Sequence, residues 1–186
     1  MALFLILAPF ATFATLMMLT TVTISLAAAA LVSLGLVGRD LYLGRSLKIL
    51  AAGGAALFVA LLGYHAVAAA ELAPNMVRLA VDGGLLVIAL VSIALRKPFT
   101  LQYARETVDI ETSRKPVFLR TNYVLSWVWS VAFMLMLVAD AVAIYLPGLP
   151  LWTFAASTFA ARNSATYFTR WYPKRVRAAL AGTPTT

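Results

Sequence analysis

Cysteine is absent and histidine occurs once, which excludes disulfides, thiolate metal sites, cysteine nucleophiles and any histidine-rich metal centre. Acid is scarce as well. The seven Asp and Glu residues lie scattered among apolar runs, with no HExxH, CxxC or paired-carboxylate spacing and no Walker or Rossmann glycine pattern. The sequence therefore predicts no soluble catalytic domain, no enzyme activity, no metal and no cofactor. Charged residues make up 12% of the chain against 62% hydrophobic ones, and the mean hydropathy of +0.90 is far too apolar for a soluble domain of 186 residues.

What is present is a series of apolar runs, at 1–38, 49–70, 76–81 with 83–95, 124–146 and 151–161, charged only at Arg78 and Asp140. Most reach or approach the roughly 20 residues that cross a hydrocarbon core. The expectation is an all-α polytopic bundle of five or six transmembrane spans forming a single domain. Its parts would be an apolar N-terminal segment at 2–38, spans at about 49–70, 76–95, 121–146 and 150–169, a loop at 96–120 and a basic tail at 170–186.

The first run lacks a basic region before it and is much longer than a signal-peptide core, so it reads as a membrane segment. As one straight helix it would extend about 55 Å against a core of about 30 Å, so a break is expected. Pro9 is one place for it, and the hydroxyl run Thr20, Thr21, Thr23, Ser25 is another. Two short spans, or one span with a re-entrant start, both satisfy the length.

Cations gather at span ends. Arg39, Arg45 and Lys48 follow the first run, six Lys and Arg with three acids occupy 96–120, and Arg170, Lys174, Arg175 and Arg177 occupy the tail. By the positive-inside rule these three regions face the cytoplasm, which places thirteen of the fifteen cations there and leaves 71–78 and 147–150 outside. The net charge of +8 then reflects topology and attraction to anionic membrane lipids, and no nucleic-acid partner is expected.

In the polar stretch LRKPFTLQYARETVDIETSRKP, Pro98 can start a helix on which Phe99, Leu101, Ala104 and Val108 alternate with Gln102, Arg105, Glu106 and Asp109. One reading is an interfacial helix anchored by Phe99 and Tyr103, with Arg105 reaching phosphate; the other is a solvated loop with a chance apolar face. Arg96, Lys97, Pro98, Phe99, Tyr103 and Arg105 are the candidate docking residues.

The run LVSIALRKPF, the polar linker, the Trp-bearing LSWVWSVAFMLMLVADAVAIYLP, and LW opening a last span with a basic tail together resemble the intracellular septation protein A family of bacterial inner-membrane proteins. LFLILAP and GRDLYLGRSLKIL upstream come in the same order. Arg96, Lys97, Pro98, Phe99, Trp129, Leu146 and Pro147 carry the match. Asp140 stands where that family often has Asn, and the linker here is longer and more acidic. The resemblance implies a multi-pass protein of the bacterial inner membrane, tied to septation and the cell envelope, without settled catalysis. Division or envelope-synthesis proteins are the implied partners; a second copy of the chain is a separate expectation.

Three ionisable residues, His65, Asp82 and Asp140, fall about 8 Å inside the outer ends of their predicted spans. One reading joins them in a layer in which His65 titrates between two carboxylates, the basis of a small proton- or cation-coupled transporter or channel. The other pairs Asp82 with Arg78 one turn earlier and leaves His65 satisfied beside Tyr64. Arg162 and Asn163 lie nearer the cytoplasm, where Arg162 would extend toward lipid phosphates. The small residues at 51–56 and 82–84 suit close helix packing, and the tryptophans, Trp152 and Trp171 above all, suit interfacial belts. The sequence thus predicts first a non-enzymatic envelope or septation protein. A transporter or channel is second, and an accessory subunit of a membrane complex third; Arg105, Glu106, Asp109 and Glu111 offer only a weak set for a lipid-modifying enzyme.

Overall fold

A chain with hydrocarbon on its outside and no water inside must pair its own backbone groups, and the helix does this within one segment. The computed structural model describes residues 2–67, 73–146 and 151–181, and among them every regular element is helical. They are α1 (Ala2–Leu19), α2 (Val22–Tyr42), α3 (Ile49–Val67), α4 (Pro74–Ala94), α5 (Phe99–Ala104), a 3-10 turn (Arg105–Thr107), α6 (Ile110–Arg114), α7 (Pro116–Tyr145) and α8 (Leu151–Ala181). Four of them, α2, α3, α4 and α7, are long and apolar enough to cross a membrane. Of the outer connections expected at 71–78 and 147–150, residues 71–72, Glu71 among them, and 147–150 lie outside the described residues, as do the last residues of the tail.

The first apolar run turns at its hydroxyls. Thr20 Oγ1 donates to the Leu16 carbonyl at 2.8 Å, and the Thr21 side chain accepts from Ile24 N at 3.4 Å, so one hydroxyl closes α1 and the next caps α2. Pro9 sits inside α1 without ending it. The rings of Phe10 and Phe13 lie 5.2 and 5.8 Å from the Phe58 ring, which holds α1 against α3.

Thr23 meets His65 at one end of the α2 and α3 pair and Asp40 meets Lys48 at the other, so the two helices run antiparallel. Between α3 and α4 the approach is close enough to need glycine. A Cβ on Gly53 would stand 2.9 Å from Ile88, and one on Gly84 would stand 2.6 Å from Leu57. α7 packs between α4 and α8, and Trp129, Phe133 and Ala165 join Leu85 and Ala89 in one buried cluster.

Trp129 is 1% exposed and its indole N–H donates to Thr169 Oγ1 at 2.9 Å, so it is a core residue rather than part of an aromatic belt. Trp152 and Trp171 keep exposed surface. Large apolar side chains such as Leu31, Val131, Val138 and Phe159 point outward, the surface that lipid requires and water does not.

The polar loop departs from expectation. No three-turn helix lies in the interface; α5 has six residues, the chain then tightens into the 3-10 turn, and Val108 is extended before α6. α5 is folded into the bundle. Phe99 N–H donates to Ser92 Oγ at 3.1 Å, and Thr100 Oγ1 donates to the Asn122 carbonyl at 2.7 Å and lies 2.7 Å from Ser126 Oγ. Phe99 and Tyr103 are buried, because the same apolar alternation that suits a lipid surface also suits a groove between helices. α7 takes over 116–120, which the sequence assigns to the loop. α8 follows α7 as a helix, yet Arg162, Asn163 and its hydroxyl residues keep it outside the four apolar spans.

Candidate functional site

Ionisable residues inside an apolar bundle are expensive, so the places where they meet are the candidate sites. Asp82 on α4 and Asp140 on α7 face each other where the two helices approach closely. A Cβ on Gly83 would already touch Leu137 at 3.4 Å. Their carboxyl groups lie within electrostatic reach of one another. Two carboxylates placed near each other repel, and a single proton held between them would turn that repulsion into a hydrogen bond. Asp140 Oδ2 is buried and receives no N–H or hydroxyl among the described residues. Arg78, one turn before Asp82 on α4, lies in electrostatic reach of both carboxyls, and Arg162 on α8 reaches Asp82. Three helices thus contribute to the cluster.

His65 does not join it. Its Nε2 lies 3.0 Å from Thr23 Oγ1 on α2, and its Nδ1 is buried without a partner among the described residues. The structure therefore brings together two of the three residues expected in one layer and ties the third to the α1–α2 turn. Arg162 is exposed on α8, whereas Asn122 is buried and its carbonyl accepts from Thr100.

A second cluster lies at the other end of the bundle. Lys48 is 3% exposed, and its ammonium donates to Asp40 Oδ2 at 2.6 Å and Glu106 Oε1 at 2.9 Å. It also lies 5.1 Å from the centre of the Tyr103 ring. Lys48 precedes α3, Asp40 is in the last turn of α2 and Glu106 is in the 3-10 turn, so one cation joins three elements. Gln102 fastens the same junction: its Oε1 accepts from Ile49 N at 2.8 Å, one of the free N–H groups of the α3 start, and its Nε2 donates to the Lys97 carbonyl at 2.7 Å. Burial, then the carboxylates of Asp40 and Glu106, push the Tyr103 phenol well above its ordinary range and keep it neutral.

The sequence marks Lys48 only as a loop cation. The one signal in it is the lone pair of opposite charges, Asp40 and Lys48, eight residues apart across a tight turn.

The docking candidates divide. Arg96, Lys97 and Arg105 are exposed; Pro98, Phe99 and Tyr103 are interior and meet neither lipid nor a partner. Arg96 adopts φ of 56° in the position after α4 where glycine is usual, and the Lys97 N–H closes the helix by donating to the Ser92 carbonyl at 3.0 Å. Asp109 caps α6 by accepting from Thr112 N at 2.8 Å, and this backbone bond holds its carboxyl below the usual range. Among the described residues no group of His, Asp and Glu is placed to hold a metal ion.

No family model, no curated protein and no solved structure matches the chain.

Replacing Lys48 with Met should leave the partly exposed carboxylates of Asp40 and Glu106 facing each other and cost about 1 to 3 kcal/mol, read as a lower unfolding midpoint in neutral detergent. Adding Asp40→Asn and Glu106→Gln to Lys48→Met should recover most of that loss. An unchanged midpoint in the single variant would show that the ion cluster does not hold the junction.

Proposed function

We propose that the protein is a non-enzymatic, multi-span protein of a bacterial inner membrane whose working element is the Asp82–Asp140 pair, a site that binds and releases a proton or a small cation. The observation that carries this reading is the pairing of two carboxyl groups from different helices inside an apolar bundle. Such a pair holds one proton between its members, and the positive charges of Arg78 and Arg162 offset the negative charge left when that proton departs or a cation replaces it. His65, the third residue of the expected layer, is engaged by Thr23 and takes no part.

The chain crosses the membrane six times in this reading, by the four apolar helices together with α1 and α8, with both termini in the cytoplasm. α1 is about 27 Å long, close to the core thickness, and α8 returns along α7 through the Trp129 to Thr169 hydrogen bond. Septation and envelope upkeep, implied by the resemblance, form a wider proposal about the setting in which the site works.

In proteoliposomes, a pH step should drive proton or alkali-cation movement that Asp82→Asn and Asp140→Asn each reduce to the level of empty vesicles. Both variants should still fold, because an Asn amide N–H can donate to the remaining carboxylate in place of the shared proton. Alanine at either position should be less stable by about 1 to 3 kcal/mol. Movement that survives both Asn variants would exclude the pair as the working site.

The chain has no cysteine of its own, so single introduced cysteines report sidedness cleanly. Asn75→Cys should react with an impermeant reagent from outside, while Arg45→Cys and Lys174→Cys should react only from the cytoplasm. Labelling of Lys174→Cys from outside would remove α8 from the count.

For the septation proposal, division or wall-synthesis proteins should co-purify with the chain in mild detergent and be lost when 108–114 is replaced by a flexible linker. The replacement spares 99–106, which belongs to the packed core and the ion cluster. Recovery of the same proteins with the replaced loop would contradict docking there.

A further inference from the structure

Beside the Lys48 cluster lies a cavity of about 70 Å³ between α1, α2, α3 and the α5 loop, with no part in the carboxyl pair. Its lining changes character from one side to the other. Phe10, Leu36, Leu50 and Gly54 form an apolar wall, while Arg39 and Arg45 stand among the polar residues that line the rest. Asp40 and Glu106 are there too, but both are already bound to Lys48. Arg39 and Arg45 are exposed and have no carboxylate partner among the described residues. Three cations against two acids leave one positive charge, and the two guanidiniums lack a counter-ion at the edge of an apolar cavity.

A further polar group points to a ligand. Ser33 is 2% exposed and lines the cavity, and its hydroxyl has no partner among the described residues, although a serine within a helix can usually bond a carbonyl of the preceding turn. Ser33, Leu36 and Asp40 fall on one face of α2, and Ser33 lies about 9 Å along the helix from Arg39, deeper in the bundle.

We propose that this cavity binds the headgroup of an anionic phospholipid, with the phosphate held by Arg39 and Arg45 and a glycerol or ester oxygen accepting from Ser33 Oγ. The apolar wall takes the start of an acyl chain. Arg suits the role because its planar fork matches phosphate oxygens. A zwitterionic headgroup fits less well, since its ammonium finds both nearby carboxylates occupied by Lys48. Free phosphate would leave the apolar wall unused.

The test titrates the full-length chain in neutral detergent with phosphatidylglycerol, phosphatidylcholine or inorganic phosphate, and reads the unfolding midpoint together with retained lipid by native mass spectrometry. Phosphatidylglycerol should raise the midpoint and stay bound, and the other two should do neither. Arg39→Gln with Arg45→Gln should weaken the phosphatidylglycerol effect about tenfold or more. Lys174→Gln with Arg177→Gln removes the same charge elsewhere on the cytoplasmic side and should change the effect less than about twofold. Ser33→Ala should weaken it with no change in charge, and this variant alone decides the outcome if the double arginine variant does not purify. A preference that survives the arginine and serine changes overturns the proposal, as does one that falls equally in the tail variant. Inorganic phosphate acting as strongly as phosphatidylglycerol overturns the lipid assignment.

Discussion

Inside the hydrocarbon layer there is no water to complete a hydrogen bond, and this constraint governs where every polar group of the chain sits. Hydroxyls within the helices turn back on their own backbone: Ser130 donates to the Ser126 carbonyl and Thr166 to the Arg162 carbonyl. Others reach across helices, as Trp129 reaches Thr169 and Thr100 reaches Asn122 and Ser126. Asp140 Oδ2 finds no hydroxyl or amide among the described residues, and the carboxyl of Asp82 stands within electrostatic reach of it instead. In the proposed reading, the constraint that builds the bundle also favours one proton shared between them.

The two ends of the bundle answer the constraint differently. At the expected outer end the Thr20–Thr21 turn and the contact of His65 with Thr23 close α1, α2 and α3 through hydroxyl hydrogen bonds. At the other end the loop after α4 is drawn in by its apolar residues, carrying Glu106 toward Lys48 so that a buried ammonium meets two carboxylates. Burial of Phe99 and Tyr103 and neutralisation of Lys48 depend on one another. Without the α5 segment Lys48 would keep only Asp40, and without Lys48 the segment would bring an unpaired carboxylate into the junction.

Much of the architecture was legible in the sequence, because runs of uncharged residues have few other uses. The all-helical class, the order of the apolar helices and the weakness of the chain at Thr20 and Thr21 follow from composition and hydroxyl chemistry. The site was legible only in part. Asp82 and Asp140 stand out because an ionisable residue is conspicuous in an apolar run, but their meeting depends on which faces of α4 and α7 are turned together, and hydropathy does not encode that. His65 stands out for the same reason and turns out to face α2. Lys48 was hidden by its neighbours: next to Arg39 and Arg45 it reads as one more loop cation, although it alone of the three is buried. The periodicity of 99–108 misleads because an apolar helix face is the same pattern whether lipid or protein covers it.

The contact between positions 82 and 140 is open to direct measurement in the membrane, again because the chain has no native cysteine. With Asp82→Cys and Asp140→Cys together and a protease site placed at Val108, a short bifunctional thiol reagent applied to native membranes should keep the two halves joined after cleavage. Pairing Asp82→Cys instead with Val138→Cys, or Asp140→Cys with Val87→Cys, both at outward-facing positions, should leave the halves separable. Efficient joining of 82 to 140 alone is the predicted result. Separation of the halves with the 82 and 140 pair, under conditions where each single cysteine reacts, would contradict the paired-carboxyl site.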